Sequence, residues 1–591
     1  MANEDSPSHV RIYPQCGACG FAFTPGDRIV ALVGKYDSTF DAAYDAFTFP
    51  DSAYCTQSHR YPFSFCRFPS CDRCASAAES ATAHKDCLLL FLRASKAQDQ
   101  RLATPALLEM LWTAAIWRKP WPAAPRLGLA PDVDVSRGMR FAAKACGQLK
   151  IAGLAELSWM IYQRSQQSSL WRYTSSLDLA LLLLESKQDE VSSVPIDKIH
   201  AWRRGYPATM KDYADKPSYY SADKPIIRLT VDSQGLQCIE RLGGGFIESS
   251  TPRSDSTAYV VEPAEYFSDV HFAIPQPLLT RLRVPAKGFY IWDTPYPPPL
   301  QQCLVDSAYK PPSSRLTTIQ TRTCTGITFF ISSTGSLLGI HAHTSNQPSA
   351  QETFESLPRR QQNAVMWVYV PIWDEITAFG ISEPRSKADR ASVVSQTCVL
   401  VRLKLGGDVF VGPYHYKQPQ RFLLTEQPLA LIYEKPEIIP VSFIGIHSAC
   451  HKAKQISLAL PFHGSPPFEK AYFSSAPLED VSSIRIFNEM EAQACRGIVI
   501  QYVNGSQRAL GQCRVGIDRD QIVMRPRRLC LASFALGRSY TGDQLYGTKV
   551  ESSTTLHHKH DRTDWACNEL RGVLRFWFKN QQTKLELYER T

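Results

Sequence analysis

The spacing of apolar residues changes twice along this chain, and each change predicts a different kind of structure. Near the start, RIVALVG (28–34) is a compact apolar run bounded by the Pro-Gly-Asp of TPGD. With FAF before the turn, it predicts a β-hairpin. HKDCLLLFLRASKA (84–97) then reads as a helix. From 97 to 190 the apolar positions recur at helical spacing, in TPALLEMLWTAAIW, SRGMRFAAKACG and GLAELSWMIYQRSQQSSLWRYTSSLDLALLLLE. Thr104 is the expected cap of the first of these, with Pro105 in its first turn. KPWPAAPRLGLAPDV breaks helix repeatedly and reads as a connecting loop. From about 225 the chain turns to short β-rich runs closed by Gly, Pro, Ser and Asn: PIIRLTVDSQGLQCIERL, TGITFFIS, CVLVRLKLGGDVFVGPY, RGIVIQYV and RGVLRFWFKNQQTKLELYE. Strands do not alternate with helices there, which argues against a parallel nucleotide-binding sheet. RLGGGF (241–246) lacks the lysine of a phosphate loop and reads as a turn.

One internal repeat stands out. Cys324 to Gly339 (CTGITFFISSTGSLLG) aligns with Cys495 to Gly511 (CRGIVIQYVNGSQRALG). Each has Cys-x-Gly-Ile, a strand, a glycine-bearing turn and a second strand, and the later copy carries the hairpin signal Asn504-Gly505. The expected fold class is multidomain α+β. It comprises a small Cys/His module over 1–96, a helical region over 97–215, and two related all-β domains over 216–420 and 421–591.

Composition narrows the function class. A hydrophobic content of 44% with 11% aromatics is that of a globular chain with real cores. The net charge of +9 is small for 591 residues, and the Arg525, Arg527, Arg528 cluster reads as a solvated loop, so no strong nucleic-acid signal is present. MANEDSPSHVRIYPQ has no signal-peptide character, and the longest apolar run, LDLALLLLE, is too short to span a bilayer. An intracellular protein, cytoplasmic or nuclear, with reduced thiols and no membrane association is therefore expected.

The cysteines carry the main chemistry. Seven of 17 lie in the first 87 residues: Cys16, Cys19, Cys55, Cys66, Cys71, Cys74 and Cys87. The spacings C16-x2-C19, C66-x4-C71, C71-x2-C74 and H84-x2-C87 present paired donors to one ion, and Gly20 permits the tight turn after the first pair. A thiolate at a helix start, as at Cys87, is favoured by the backbone dipole. Thiolate-rich sets favour Zn2+, and the donors suffice for one or two ions with every position filled by protein, which is the structural rather than the catalytic arrangement. The metal ligands expected are Cys16, Cys19, Cys66, Cys71, Cys74, His84 and Cys87. One site would use Cys16, Cys19, His84 and Cys87, the other Cys66, Cys71, Cys74 and either His59 or Cys55. A crossed pairing of Cys16/Cys19 with Cys71/Cys74 suits the spacing equally.

This layout of knuckle, hairpin and ligand pair on a helix start resembles treble-clef and cross-brace zinc modules, and more distantly a RING-like module, which would imply ubiquitin transfer. LAELSWMIYQRSQQSSLWRYTSSLDLALLL is similar to an F-box-like start, with Leu154-Ala155 where Leu-Pro is usual; the likeness implies a Skp-type adaptor partner and a substrate-receptor role. In order along the chain, the Cys/His cluster, LWRYTSSLDLA, IRLTVDSQGLQCIERL, IWDTPYPP, GIHAHT, WVYVPIWDEITAFG and CRGIVIQYVNGSQRALGQCR resemble a group of large uncharacterised proteins of filamentous fungi. The repeated hairpins resemble jacalin-like β-prism repeats, with a β-sandwich equally compatible. The lectin likeness implies a carbohydrate ligand, for which Asp293 is a candidate contact.

No catalytic residue is expected. His341 and His343 share a strand face but lack an acidic partner, and they read as hydrogen-bonded core histidines. His557, His558 and His560 read as a solvated loop, and PYPPPL (295–300) as a rigid interdomain linker. The function expected is that of a non-catalytic interaction or adaptor protein. A ubiquitin-ligase substrate receptor and a lectin-like protein are the alternatives.

Overall fold

The structure, a computed structural model, describes residues 8–588 except 36–38, 51–54, 58–60, 62, 69–70, 119–126, 148–152, 186–191, 211–225, 243–254, 277–278, 284–288, 306–314, 383–397, 415–419, 436–439, 451, 459–465, 490–493, 539–543, 561–563 and 581. RLGGGF beyond Leu242 therefore lies outside the described residues. The chain forms two compact units, Met1–Pro297 with Pro311–Leu316, and Pro298–Lys310 with Thr317–Thr591. The boundary at Pro297 falls inside the proline run, where fixed φ angles and missing amide donors keep the chain out of either sheet.

The first unit opens with strands β1 (Ser8–Arg11), β2 (Arg28–Gly34), β3 (Phe40–Thr48), β4 (Cys55–Gln57), β5 (Phe63–Cys66) and β6 (Ser80–His84), with the one-turn helix α1 (Asp72–Ala75) before β6. All of β2 after Arg28 is buried, so it takes a neighbour on each side, β3 and β6. The expected hairpin of FAF with RIVALVG does not form. The TPGD turn closes as read, with the Asp27 amide donating to the Thr24 carbonyl at 3.0 Å, but Ala22 bridges back to Gln15. The FAF run is too short to satisfy a fully buried strand, and it closes the cysteine knuckle instead.

Helices α2 (Lys85–Gln98), α3 (Thr104–Trp117), α4 (Val135–Ala145), α5 (Ala155–Arg164) and α6 (Ser169–Glu185) follow. Thr104 is the first helical residue rather than the cap, which is Ala103. Its hydroxyl instead accepts from Lys96 Nζ at 2.8 Å. The Asp134 carboxylate caps α4, accepting from the Arg137 amide at 2.9 Å. Leu107, Leu111 and Trp112 of α3 and Leu179, Ala180 and Leu183 of α6 share one core with β2, Cys16, Cys19 and Cys87. The helices thus supply apolar surface that the cysteine-rich segment, with few large side chains of its own, lacks. The remainder of this unit is mainly a five-stranded antiparallel sheet in the order Thr257–Pro263, Ile226–Asp232, Gly235–Leu242, Ile199–Arg203, Thr209–Met210.

The second unit is strand-rich, with helix among its described residues limited to short pieces such as Gln351–Glu355 and Arg359–Gln362. Both repeated hairpins lie in it, Gly326–Ser332 with Leu337–His343, and Cys495–Tyr502 with Gln507–Gly511. Their turns have the same bonding. The Ser332 amide donates to the Ser336 carbonyl at 2.8 Å and the Tyr502 amide to the Ser506 carbonyl at 2.9 Å, with Gly335 and Gly505 both at positive φ. The recurrence stops at the hairpin. The first pairs with Val365–Pro371, which follows it in sequence, and the second with Val481–Asn488, which precedes it. Ile327, Phe329 and Ile340 of one and Ile498, Ile500 and Leu510 of the other join a single core.

Candidate metal centres

Two four-donor clusters form in the first unit. Cys16 and Cys19 flank a turn closed by the Gly20 amide donating to the Cys16 carbonyl at 2.8 Å, with Gly20 at φ +79°. The Gly17 amide donates to the Thr82 carbonyl at 2.7 Å, which fastens this knuckle to β6. β6 ends at His84 and α2 begins one residue later, so His84 and Cys87 reach the knuckle from a strand end and a first helical turn. The donor atoms of Cys16, Cys19, His84 and Cys87 lie within 4.8 Å of one another, and all four residues are buried. His84 Nδ1 is 3.6 Å from Cys19 Sγ and 3.9 Å from Cys87 Sγ. Its other nitrogen, Nε2, faces Asp27 Oδ2 at 3.3 Å, the carboxylate partner that fixes ring orientation in metal-bound histidines.

The second cluster gathers His9, Cys66, Cys71 and Cys74, again within 4.8 Å. β1 pairs parallel with β5, placing His9 beside Ser64 and Arg11 beside Cys66, while Cys71 and Cys74 bracket the start of α1. His9 Nδ1 is 3.3 Å from Cys71 Sγ and 3.9 Å from Cys74 Sγ. The clusters are uncrossed. Among the described residues the fourth donor here is His9; His59 and the Cys55 side chain lie outside them. His9 escapes sequence reading because no spacing rule links it to Cys66. Only the parallel pairing of an N-terminal strand brings it there, and its one signal is a histidine in the alternating run SHVRIY.

The donor sets fit a tetrahedral cation. Metal–sulfur bonds near 2.3 Å and metal–nitrogen bonds near 2.0 Å require donor–donor edges of about 3.3–3.8 Å, and the separations above fall around that range. Hydrogen bonding alone does not explain the contacts, since one imidazole nitrogen has a single lone pair or a single proton to share between two thiols. Burial opposes ionisation of Cys16, yet hydrogen bonds from Cys19, Cys87 and His84 hold it well below the usual thiol value. Burial and then the bond to Cys16 push Cys19 well up, and Cys87 rises mainly through its bond to Cys16. Without a cation the donors compete for protons, and a divalent ion replaces them.

A divalent ion with three thiolates and a neutral imidazole leaves one net negative charge, and an arginine stands at each cluster. Arg118 Nη1 donates to the Gly17 and Ala18 carbonyls at 2.9 and 3.2 Å, with its charge opposite Cys19 and Cys16. Arg11, 8% exposed, faces Cys74. Arg118→Met is expected to weaken metal retention at the Cys16 cluster by about 10–100-fold, the usual cost of losing an outer-shell partner. Competition against a chromophoric chelator measures it, and unchanged retention would show Arg118 to be packing only.

The other histidines divide. His341 and His343 are buried and hydrogen-bonded. His341 contacts the Thr353 hydroxyl at 2.8 Å and the Gln347 carbonyl at 3.2 Å, and His343 the Thr328 hydroxyl at 2.7 Å and the Pro348 carbonyl at 2.9 Å. Burial, then repulsion from His343, lowers the His341 pKa to about 4. The unfolded chain protonates first, near 6.5, so the second unit loses stability as pH falls from about 6.5 to 4, by on the order of 2–3 kcal/mol from this group. Urea midpoints at pH 7 and 4.5 test this. The slope between them becomes shallower in His341→Gln, and an unchanged slope counts against it. His557 is exposed, but the reading of its neighbours as a solvated loop is overturned: His558 and His560 turn in to face Cys530 and Cys567. The expectation fails because the cysteines are 28 residues before and 9 after His558 and meet it only through strand pairing. Asp293, the candidate sugar contact, is 5% exposed and so is not presented by an open loop.

Among the described residues no helix is long and apolar enough to cross a membrane. No known protein-family model matches the chain, and no curated protein matches it either.

Proposed function

We propose that this chain is a non-catalytic intracellular interaction protein, an adaptor, whose first unit is folded by two structural Zn2+ ions and whose helix α5 receives a partner protein. Zinc suits sets of three thiolates and one imidazole, and four protein donors at each cluster leave no position for an activated water. The free cysteines agree with a reducing compartment.

The observation that carries the interaction reading is α5. It buries only Ser158 while its Leu157, Trp159 and Met160 are exposed by 36, 52 and 61%, and Leu154, the residue just before it, by 56%. Phe141 of α4 is exposed by 41% as well. Large side chains left in water on one short helix are a cost that docking recovers, and aromatic residues with Met are the types enriched at interface centres. The expected occupant is a protein presenting an apolar groove. The F-box-like likeness of this same segment makes a Skp-type adaptor the specific candidate, and the substrate-receptor role the second reading.

Affinity purification of the tagged full-length chain tests it, with Trp159→Asp as the comparison. A partner retained by the wild type and lost by the variant, at equal zinc content and equal folding, supports the reading. Identical recovered sets from the two proteins overturn it. Direct binding of a purified Skp-type adaptor would select the ligase reading.

A further inference from the structure

We propose that Cys530, His558, His560 and Cys567 form a third metal site, a Cys2His2 zinc centre in the second unit, independent of the two N-terminal clusters. Three elements build it. Cys530 sits on the strand Arg528–Arg538, with Cys567 of Ala566–Glu569 opposite it on one side and Glu551 of Gln544–Ser553 opposite it on the other. The chain leaving Gln544–Ser553 folds back and delivers His558 and His560 before returning as Ala566–Glu569.

The four donor atoms lie within 4.8 Å of one another. His558 Nε2 is 2.9 Å from Cys530 Sγ, 3.3 Å from Cys567 Sγ and 3.0 Å from His560 Nε2. A ring nitrogen satisfies one hydrogen bond, so three such neighbours around it describe donors converging on a shared cation. The surroundings are those of a metal-bound histidine. His560 presents Nε2 to the cluster while its Nδ1 faces Glu551 Oε2 at 3.3 Å, and Trp565 stacks on the ring at 4.4 Å, 9° from parallel. Carboxylate and indole together fix which nitrogen of His560 faces inward.

Two thiolates and two imidazoles bind Zn2+ with no net charge, unlike the N-terminal sets. Cys530 is buried and the other three donors are partly exposed. The site pins the stretch 554–560 to its sheet, and its ion exchanges more readily than those of the first unit.

Zinc per chain is measured on the full-length protein, purified under reducing conditions, for wild type, Cys567→Ser and His560→Ala. The expected result is one equivalent less in each variant, with near-ultraviolet circular dichroism retained. That difference is the same whether or not the N-terminal clusters hold metal. Cobalt titration of metal-stripped wild type adds an independent reading, in which one bound equivalent shows sulfur charge-transfer absorption for two thiolates rather than three. It decides the matter where the substitutions unfold the unit. Glu551→Gln is expected to keep the stoichiometry and weaken retention of this ion about tenfold. Equal metal content in folded wild type and variants, absence of a two-thiolate cobalt species, or a Cys530–Cys567 disulfide in the freshly purified protein overturns the proposal.

Discussion

Cys87→Ser is expected to unfold the first unit, with at least one zinc fewer per chain and loss of its cooperative thermal transition. Cys87 is fully buried at the first turn of α2, where it joins the donor cluster and the apolar core together. A structural zinc ion contributes on the order of 10 kcal/mol to folding, comparable to the whole stability of a domain, about 5–15 kcal/mol. The serine hydroxyl is a poor zinc ligand, and it leaves a polar atom among buried thiols where water does not reach. The effect spreads because His84 and Cys87 join β6 to α2, while Asp86 between them holds Arg172 at 2.6 Å and the Tyr173 hydroxyl at 2.9 Å, both from α6. A native-like transition with unchanged zinc in Cys87→Ser would show that this cluster is a group of buried thiols and nothing more. Chelation of the wild type under native conditions should likewise abolish the first unit's transition, since it strips the ion of this cluster together with the others.

Gly497→Ala is expected to destabilise the second unit by about 3 kcal/mol or more, the upper range for overpacking a core. A β-carbon there would stand 2.6 Å from the Gln512 carbonyl carbon, 2.7 Å from its oxygen and 2.8 Å from the Cys513 nitrogen. Those atoms are backbone, which no rotamer change moves aside, and the Gln512 amide is itself bonded to the Arg496 carbonyl at 2.7 Å. Gly505→Ala provides the contrast. Nothing lies within 4 Å of its missing β-carbon, so only the cost of a left-handed backbone remains, about 1–2 kcal/mol. Equal denaturation midpoints for the two variants would disprove the close approach at Gly497.

Gly497 belongs to the Cys-x-Gly-Ile that repeats at Gly326, and the recurrence is legible from sequence because turn and strand chemistry are local. What crowds each glycine is not. At Gly326 the neighbour is the ring of Tyr369, 2.4 Å from where a β-carbon would stand, whereas at Gly497 it is main chain. The helices α2 to α6 are legible for the same local reason, as apolar stripes at the helical period. Which core they enter is not, since a stripe specifies that a face is buried and leaves open what covers it.

By itself the sequence determined the β-rich character of the later chain, the helical stretch before it, the knuckle at Cys16 and Cys19, and the pair at His84 and Cys87, because each depends on contacts between residues a few positions apart. Tertiary structure alone decided that His9 completes the second cluster and that four residues spread over 530–567 meet at a third. Strand pairing joins residues at any separation, and its register leaves no spacing in the sequence by which those partners can be found.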